Sequence, residues 1–223
     1  NPLRFFYLIM NPGSVMTLGV YFICVFMPVS IAAALLEVLR RPVPKWLTWT
    51  GIVSAFCVAA YTGFLLGVVS AYPLWNNAIL PVLFVVSALS AGLAATSLVG
   101  LITDRERFEQ MWLIKKSHVI LSAIEMVVLA TMLIIVSSGS PEGAASVASL
   151  VSGQYAPMFW GGLVLLGLVA PFAIEGYPVF VTRKVETSTT SMVVSVIGEG
   201  GVLVGGFMLR LLVILAALPV LYL

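Results

Sequence analysis

Charged residues are scarce in this chain: they make up 9% of its 223 residues, whereas 61% are hydrophobic. A water-soluble domain needs far more polar surface than this composition supplies, so a soluble enzyme or binding module is excluded. The formal net charge of +2 is also too small to indicate a nucleic-acid partner. We therefore expect an integral membrane protein.

Metal-ligating residues are equally scarce. The two cysteines, Cys24 and Cys57, lie in separate apolar runs without CxxC spacing, and we expect free, buried thiols. The one histidine, His118, cannot supply both axial ligands of a typical membrane b-type haem. No P-loop, GxSxG motif or metal-ligand cluster is present. We expect neither haem nor metal in this protein, and we assign no residue to covalent catalysis.

Six long apolar segments dominate the sequence, each near or above the ~20 residues that cross the hydrocarbon of a bilayer. They run from about Ser14 to Leu39, Trp46 to Ala71, Ile79 to Ile102, His118 to Ser137, Met158 to Val181 and Met192 to Leu221. The predicted fold is all-α, a polytopic transmembrane helix bundle, with residues 1–223 as a single transmembrane domain. The connection Gly139 to Gln154 is rich in Ser, Gly and Ala and is predicted to be an irregular loop.

Basic residues are confined to alternate connections between these segments. Nine of the eleven lie there: Arg40, Arg41, Lys45, Arg105, Arg107, Lys115, Lys116, Arg183 and Lys184. The connections 72–78 and 138–157 contain no lysine or arginine. The positive-inside rule places the basic set in the cytoplasm and the other set outside, so both ends of the sequence are expected outside.

Ionisable residues inside apolar segments cost up to ~2.5 to 3.5 kcal/mol on insertion scales, so each requires a reason. Glu125, Glu199 and Arg210 suggest a proton path that enters from the inner side and ends in the outer half. Eleven residues separate Glu199 from Arg210, a rise of ~16 Å that returns both to nearly the same helix face. The alternative is a set of buried ion pairs that fix helix packing. Glu175 is expected to snorkel to the inner surface, and His118 to cap an interfacial helix start.

The hairpin from Tyr61 to Ser97 combines two spans with an uncharged outer turn. Its second span contains many small residues, which permit close helix packing in lipid, and Gly201 and Gly205 in the last span have the GxxxG spacing of a packing face. Tyr61 is a phenol in an apolar run. It could donate a hydrogen bond to a quinone carbonyl, or it could be a packed aromatic whose hydroxyl is satisfied.

Three stretches carry a family resemblance. The longest, Ala60 to Phe84, reads AYTGFLLGVVSAYPLWNNAILPVLF, and the others, Asn11 to Phe22 and Val204 to Ala216, read NPGSVMTLGVYF and VGGFMLRLLVILA. The sequence resembles the NrfD/PsrC membrane subunits, which are named for nitrite and polysulfide reductase complexes. Members usually have eight or more spans, and this sequence begins at what corresponds to the third. The leading helices, which supply quinone-contacting polar residues, would then come from a longer polypeptide or from a partner.

The resemblance implies a haem-free anchor subunit of a respiratory oxidoreductase in a bacterial or archaeal cytoplasmic membrane. Such a subunit exchanges electrons between menaquinone or ubiquinone and a four-cluster iron-sulfur subunit on the outer face. A molybdopterin or multihaem catalytic subunit completes the complex. By position, Tyr61 matches a quinone-pocket tyrosine, Glu125 a membrane carboxylate and Arg210 an arginine of the proton route. The turn residues Trp75, Asn76 and Asn77 match the region near the iron-sulfur partner.

Two other functions remain open from the sequence. A purely structural anchor would use Tyr61 and Arg210 only for packing. A proton-coupled transporter would also place Glu125 and Glu199 in the membrane, although the paired discontinuous helices typical of transporters are not evident.

Overall fold

The computed structural model describes residues 13–103, 112–177, 180 and 189–220, and seven helices lie in these ranges. Six are long and apolar enough to cross a membrane, which confirms the predicted helical bundle. These six are α1 (Val15–Val38), α2 (Lys45–Gly67), α3 (Ile79–Thr103), α4 (Trp112–Gly139), α6 (Met158–Tyr177) and α7 (Thr189–Leu215), and the short helix is α5 (Pro141–Val151). The first part of α6, Met158–Val169, is π-helical.

Four of the helices form a closed ring. α3 packs on α4, α4 on α6, α6 on α7, and α7 returns to α3, so α4 and α7 face each other diagonally across the axis of a four-helix bundle. α2 packs on the outside of this bundle against α3, and α1 packs on α2. The interior of the four-helix bundle is therefore the place where side chains from distant segments of the sequence can meet.

The two ends of the bundle differ in charge. We call the end with Arg40, Arg41 and Lys115 the basic end, and the end with the 68–78 turn and α5 the hairpin end. Four other basic residues of the predicted inner connections lie outside the described residues: Arg105, Arg107, Arg183 and Lys184.

The end of α1 shows how the sequence sets a helix boundary. Arg40 has a φ of 53°, in the left-handed region. Its N–H donates to the carbonyl of Glu37 (2.9 Å), and the N–H of Arg41 donates to that of Leu36 (2.8 Å), which is the pattern of a Schellman motif. The cationic side chains also suit the negative end of the helix dipole. α1 and α2 are thereby held as an antiparallel hairpin.

The connection predicted to be an irregular loop contains a helix, so that prediction was wrong. Ser140 is the N-cap of α5, and its hydroxyl accepts a hydrogen bond from the N–H of Gly143 (3.0 Å) while Pro141 opens the first turn. Gly143, Ser146 and Leu150 are buried at a helical spacing. Small residues that look like a linker here let α5 lie close against α4 and α6.

The last helix ends earlier than predicted, at Leu215 rather than near Leu221. Carbonyls in the last turn of a helix lack partners within the helix. The carbonyl of Val213 accepts a hydrogen bond from the indole N–H of Trp75 (2.7 Å). The backbone then runs beside the 68–78 turn, where the N–H of Val220 donates to the carbonyl of Ala71 (2.8 Å). The hairpin turn therefore holds the end of α7 in place.

Glycines allow three close approaches between helices. A Cβ on Gly19 of α1 would collide with the ring of Tyr61, and one on Gly63 of α2 would collide with Pro81. The approach of α6 to α7 is equally close, because a Cβ on Gly167 or Gly205 would meet the backbone of the other glycine. The predicted GxxxG packing face is thus confirmed.

The cysteines are free, as predicted, but they are not buried. Cys24 is exposed on the surface of α1, and Cys57 is partly exposed on α2. Of the six spans, α1 and α2 have the smallest fraction of buried residues. An apolar side chain on either helix therefore faces outward more often than inward. In a membrane these surfaces meet lipid or other helices rather than water.

Candidate functional site

One face of α4 changes from polar to apolar halfway along the helix. Its buried residues alternate at spacings of three and four, which keeps one stripe of side chains facing the bundle axis. From the basic end, the stripe is Lys115, His118, Ser122 and Glu125, followed by Leu129, Met132 and Val136. The polar part of this stripe therefore lies entirely in the half of α4 nearer the basic end.

The other three helices of the ring divide in the same way. Toward the basic end or the middle, they bury Ser87, Ser90, Ser97, Glu175, Ser195 and Glu199. Toward the hairpin end, they bury Leu80, Leu83, Phe159, Leu163, Leu209 and Leu212 in one apolar cluster with the outer part of the α4 stripe. The bundle therefore has a polar core in its basic half and a dry core in its hairpin half.

Lys115 and Glu175 form an ion pair near the basic end of this polar core. Lys115 Nζ lies 3.0 Å from Glu175 Oε2 and donates a hydrogen bond to Ser195 Oγ (2.8 Å), so one ammonium group links α4, α6 and α7. Lys115 and Glu175 are 4% and 1% exposed. The prediction that Glu175 snorkels was therefore wrong. A buried ammonium group on the neighbouring helix is its partner instead of water.

His118 and Glu199 form a second pair, across the diagonal of the bundle. His118 Nδ1 lies 3.0 Å from Glu199 Oε2, and both side chains are buried. The prediction of an interfacial cap was wrong because α4 begins at Trp112, so His118 already lies in the second turn. Neither ring nitrogen of His118 has a hydrogen-bond partner among the described residues, so this contact is an approach of the two groups without hydrogen-bond geometry.

The two pairs act as one electrostatic unit. The carboxylate of Glu175 feels the charges of both Glu199 and His118, in addition to that of its partner Lys115. Two carboxylates thus share the same low-dielectric space with one lysine and one histidine. Charges act over longer distances there than in water, so these four side chains form one electrostatic cluster.

Glu125 lies midway along α4, between this unit and Arg210. Its carboxylate feels the charges of both Arg210 and His118. The hydroxyl of Ser87 lies close to this carboxylate without the geometry of a hydrogen bond. Glu125 is therefore the group that connects the basic half of the core to the arginine.

Arg210 is partly buried at the border between the polar and apolar halves. Its Nη1 donates a hydrogen bond to the carbonyl of Gly206 (2.7 Å), and its guanidinium lies 5.6 Å from the centre of the Phe84 ring. Gly206 has no side chain to separate Arg210 from Ser87, because a Cβ there would contact both Nη1 and Oγ. The predicted residues Glu125, Glu199 and Arg210 therefore lie in or beside the same polar core, in which His118 contacts Glu199.

Tyr61, the predicted quinone-site residue, lies elsewhere. Its ring packs against Gly19 in the interface between α1 and α2, and the side chain is partly exposed. α3 stands between α2 and the helices that carry Glu125 and Arg210. The structure thus separates the predicted quinone residue from the predicted proton path by the width of one helix.

The three predicted partner-facing residues have different environments. The Trp75 indole stacks on Tyr72, with ring centres 4.2 Å apart, and donates to α7 as described above. The side-chain oxygen of Asn77 caps α3 by accepting a hydrogen bond from the N–H of Ile79 (2.9 Å). Asn76 is exposed beside a cavity of about 390 Å³ that Ser70, Pro73, Ile135, Gly139 and Ser140 help to line. Asn76 is therefore the one of the three whose side chain faces outward.

Sequence reasoning missed Lys115, Ser122 and Ser195, and it misjudged His118 and Glu175. A signal was present: Lys115, His118, Ser122 and Glu125 follow the 3-4-3 spacing of a single helix face. The predicted start of the fourth span at His118 placed Lys115 in a loop, outside this helix face.

Comparison with known proteins identifies the family. The family model described as polysulphide reductase, NrfD, matches residues 1–221. The protein belongs to the NrfD family. It is a multi-pass integral membrane protein, as the six apolar helices also indicate.

Three relatives of this NrfD-family protein have similar degrees of identity. The C subunit of polysulfide reductase from Wolinella succinogenes is 30% identical over 78% of this sequence and 62% of its own length. Protein NrfD of Escherichia coli is 30% identical over 80% of this sequence and 54% of its own. The NrfD homolog of Haemophilus influenzae is 28% identical over 74% of this sequence and 50% of its own length. The sequence thus spans half to about three-fifths of the length of these relatives. No solved structure gives a significant match.

Proposed function

We propose that this protein is a haem-free, quinone-binding anchor subunit of a multi-subunit respiratory oxidoreductase. It exchanges electrons between menaquinone or ubiquinone and an iron-sulfur subunit at the hairpin end. A molybdopterin or multihaem subunit completes the complex. The observation that carries this proposal is membership of the NrfD family, in which one relative is named as part of polysulfide reductase.

The position of Tyr61 suits a ligand that arrives through the membrane. Tyr61 lies between α1 and α2, the two helices that the described bundle buries least, so a lipid-soluble molecule can reach this interface from the side. The phenol can donate a hydrogen bond to a quinone carbonyl. A bound quinone supplies the two-electron, two-proton redox chemistry, and the protein supplies orientation and proton-linked groups.

Glu125, Glu199 and Arg210 form the proton path of this proposal. Quinone chemistry consumes or releases protons, and ionisable groups inside a membrane bundle mark proton routes by default. Placing the basic end in the cytoplasm by the positive-inside rule puts Glu199 toward the inner side and Arg210 in the outer half. The exposed Asn76 and the neighbouring turn residues Trp75 and Asn77 then face the side where the iron-sulfur subunit docks.

The Tyr61→Phe variant tests the quinone assignment. Phenylalanine keeps the ring against Gly19 and removes only the hydroxyl, so the bundle should assemble normally. We expect quinone to be extracted from the purified wild-type complex, and we expect menaquinol oxidation to fall at least tenfold in the variant. Tyr155→Phe, a partly buried tyrosine after α5, is the control and should keep the wild-type rate.

The opposite result would favour a structural anchor. If no quinone co-purifies and Tyr61→Phe turns over like the wild type, the tyrosine serves only to pack α2 against α1. The close fit of its ring on Gly19 is the observation that favours this second candidate.

A further inference from the structure

We propose that the connection between α1 and α2, together with the groove between α2 and α3, forms a binding site for an anionic phospholipid. The lipid phosphate contacts the cationic side chains of the connection, and one acyl chain fills the groove. The site is separate from the polar core and from Tyr61, and the inference does not rest on the proposed function.

The first observation is a cationic cluster on the short connection at the basic end. Arg40, Arg41 and Lys45 lie within six residues of sequence, and all three side chains are exposed. Glu37 precedes them, and the next acidic residue in the sequence is Asp104. α2 and α3 therefore carry no carboxylate that could neutralise the cluster. Its excess of positive charge favours an anionic ligand.

The backbone of this connection is constrained. Arg40 belongs to the Schellman motif that ends α1, and Pro42 and Pro44 fix two further φ angles. A constrained backbone presents its side chains with less loss of entropy on binding than a flexible one. The planar guanidinium groups suit phosphate oxygens, which they can contact through two parallel hydrogen bonds.

Two tryptophans indicate that the cluster lies at the level of lipid headgroups. Trp46 and Trp49, in the first turns of α2, are 67% and 66% exposed. Tryptophan is enriched at the boundary between hydrocarbon and water, where its ring is in apolar surroundings and its N–H is near polar groups. The adjacent arginines are therefore within reach of lipid phosphates.

An apolar groove lies deeper, between α2 and α3. The two helices touch closely at Gly63 and Pro81, nearer the hairpin end. Toward their middle they leave a cavity of about 310 Å³. Its lining side chains are all hydrophobic and include Ile52, Ala55, Phe56, Ala59, Ala88 and Leu89. Because such side chains offer water no hydrogen bonds, hydrocarbon is the favoured occupant.

One face of α2 joins the cluster to the groove. Lys45, Trp49, Ile52, Phe56 and Ala59 follow the four-three spacing of a single helix face. Ile52 lies about 10 Å and Ala59 about 21 Å along the helix from Lys45. One leaflet contributes about 15 Å to the hydrocarbon core of a bilayer. The groove therefore lies at the depth of the acyl chains whose headgroups reach the cluster.

Gly92 keeps the groove open between these two levels. The antiparallel contact of Gly63 with Pro81 places Gly92 of α3 about level with Ile52, on the basic side of the cavity. Gly92 is exposed, and nothing lies within 4 Å of a Cβ built there. An acyl chain can therefore pass from the headgroup level into the cavity.

Brominated lipids test the headgroup half of the site, because bromine quenches the fluorescence of a nearby tryptophan. The purified protein, in phosphatidylcholine bilayers, is titrated with brominated phosphatidylglycerol or brominated phosphatidylcholine. Each basic side chain contributes about fivefold to the affinity for an anionic lipid, so we expect a preference of at least tenfold for phosphatidylglycerol. The double variant Arg40→Gln/Arg41→Gln should lose most of this preference. Trp49→Phe should lose the selective part of the quenching.

Lys116→Gln is the matched control for charge. It removes an exposed lysine at the basic end of α4 and should keep the preference of the wild type. Glycerol 3-phosphate, which has the anionic group without acyl chains, should not displace the lipid at equal concentration.

The Gly92→Leu variant tests the groove. The open space around Gly92 admits the new side chain without a clash, so the helices should pack normally while the path of the acyl chain is blocked. We expect phosphatidylglycerol to bind at least fivefold more weakly, although both arginines are intact. Gly161→Leu on α6 is the control, since a Cβ there also meets nothing within 4 Å.

Three results would overturn the proposal. Equal quenching by the two lipids, or an unchanged preference in the double arginine variant, would exclude selective binding of the headgroup. Unchanged binding in Gly92→Leu would exclude the groove. Displacement of the lipid by menaquinone, equally strong in the wild type and the arginine variant, would assign the groove to an isoprenoid chain instead. The Tyr61→Phe test of the proposed function is decided independently of all three.

Discussion

The Lys115–Glu175 pair shows how much a single residue depends on its partner. Transfer of an ammonium or carboxylate group into a dry core is costly, and the two charges repay this cost only together. Lys115 also donates to Ser195, so three helices depend on its charge. Removal of either partner leaves the other charge buried and uncompensated.

We therefore expect strong coupling between substitutions at this pair. Lys115→Met or Glu175→Leu alone should lower the free energy of unfolding by about 3 to 5 kcal/mol, and the double substitution should cost less than the sum of the two. Unfolding of the detergent-solubilised protein in SDS measures the three values. Lys45→Met, an exposed lysine at the start of α2, should cost under about 0.5 kcal/mol. Additive single effects would show that the ion pair contributes no coupling.

At the scale of the helices, the contact between α6 and α7 depends on glycines, which have no side chain to keep the backbones apart. Helices in lipid associate by packing, and glycines bring their backbones close enough for dispersion to hold them. Gly167 and Gly205 meet directly, and Gly201 faces the carbonyl of Leu166. This contact holds α7, which carries Glu199 and Arg210, against α6, which carries Glu175.

A methyl group at this contact should separate the helices. Gly205→Ala and Gly167→Ala are expected to lower the free energy of unfolding by about 1 to 3 kcal/mol, since backbone shifts are needed to admit the Cβ. Gly200→Ala and Gly161→Ala are matched controls, because nothing lies within 4 Å of a Cβ at either site. Thermal unfolding of the four variants in detergent gives the comparison. Equal losses at all four positions would mean that helix propensity or the lipid, rather than the close contact, sets the cost.

At the scale of the whole molecule, an even number of spans places the two ends of the described sequence, Gly13 and Val220, on the same side of a membrane. The charge asymmetry predicts the side: the basic end carries Arg40 and Arg41, and the hairpin turn carries no basic residue. The polar core lies in the half of the bundle nearer the charged end, so the orientation determines which compartment that half faces.

The orientation can be measured by cysteine labelling. With Cys24 and Cys57 replaced by serine, Asn76→Cys should react with a membrane-impermeant maleimide added outside intact cells, because Asn76 is exposed at the hairpin end. Arg40→Cys, exposed at the basic end, should react only after the cells are opened. The reverse pattern would invert the topology and with it the predicted source of protons.

The sequence predicted the architecture well and the polar core only in part. Each span was visible because hydrophobicity accumulates along a single helix and needs no knowledge of its neighbours. Glu125, Glu199 and Arg210 were also identified, since a charge in an apolar run stands out. The sequence did not predict the pairing of His118 with Glu199, because the two residues lie far apart in the sequence and on diagonally opposed helices.

By itself, then, the sequence determined six membrane helices, the alternation of charge and membership of the NrfD family. Only the tertiary structure decided that α4 and α7 face each other, that Lys115 and Glu175 are buried as a pair, and that Tyr61 lies on the far side of α3. The physical reason is that hydropathy reports the exchange of a segment between water and lipid, whereas the partners of a buried charge depend on which helices surround it. In this bundle, the packing of α3, α4, α6 and α7 around one core determines which charged side chains are partners.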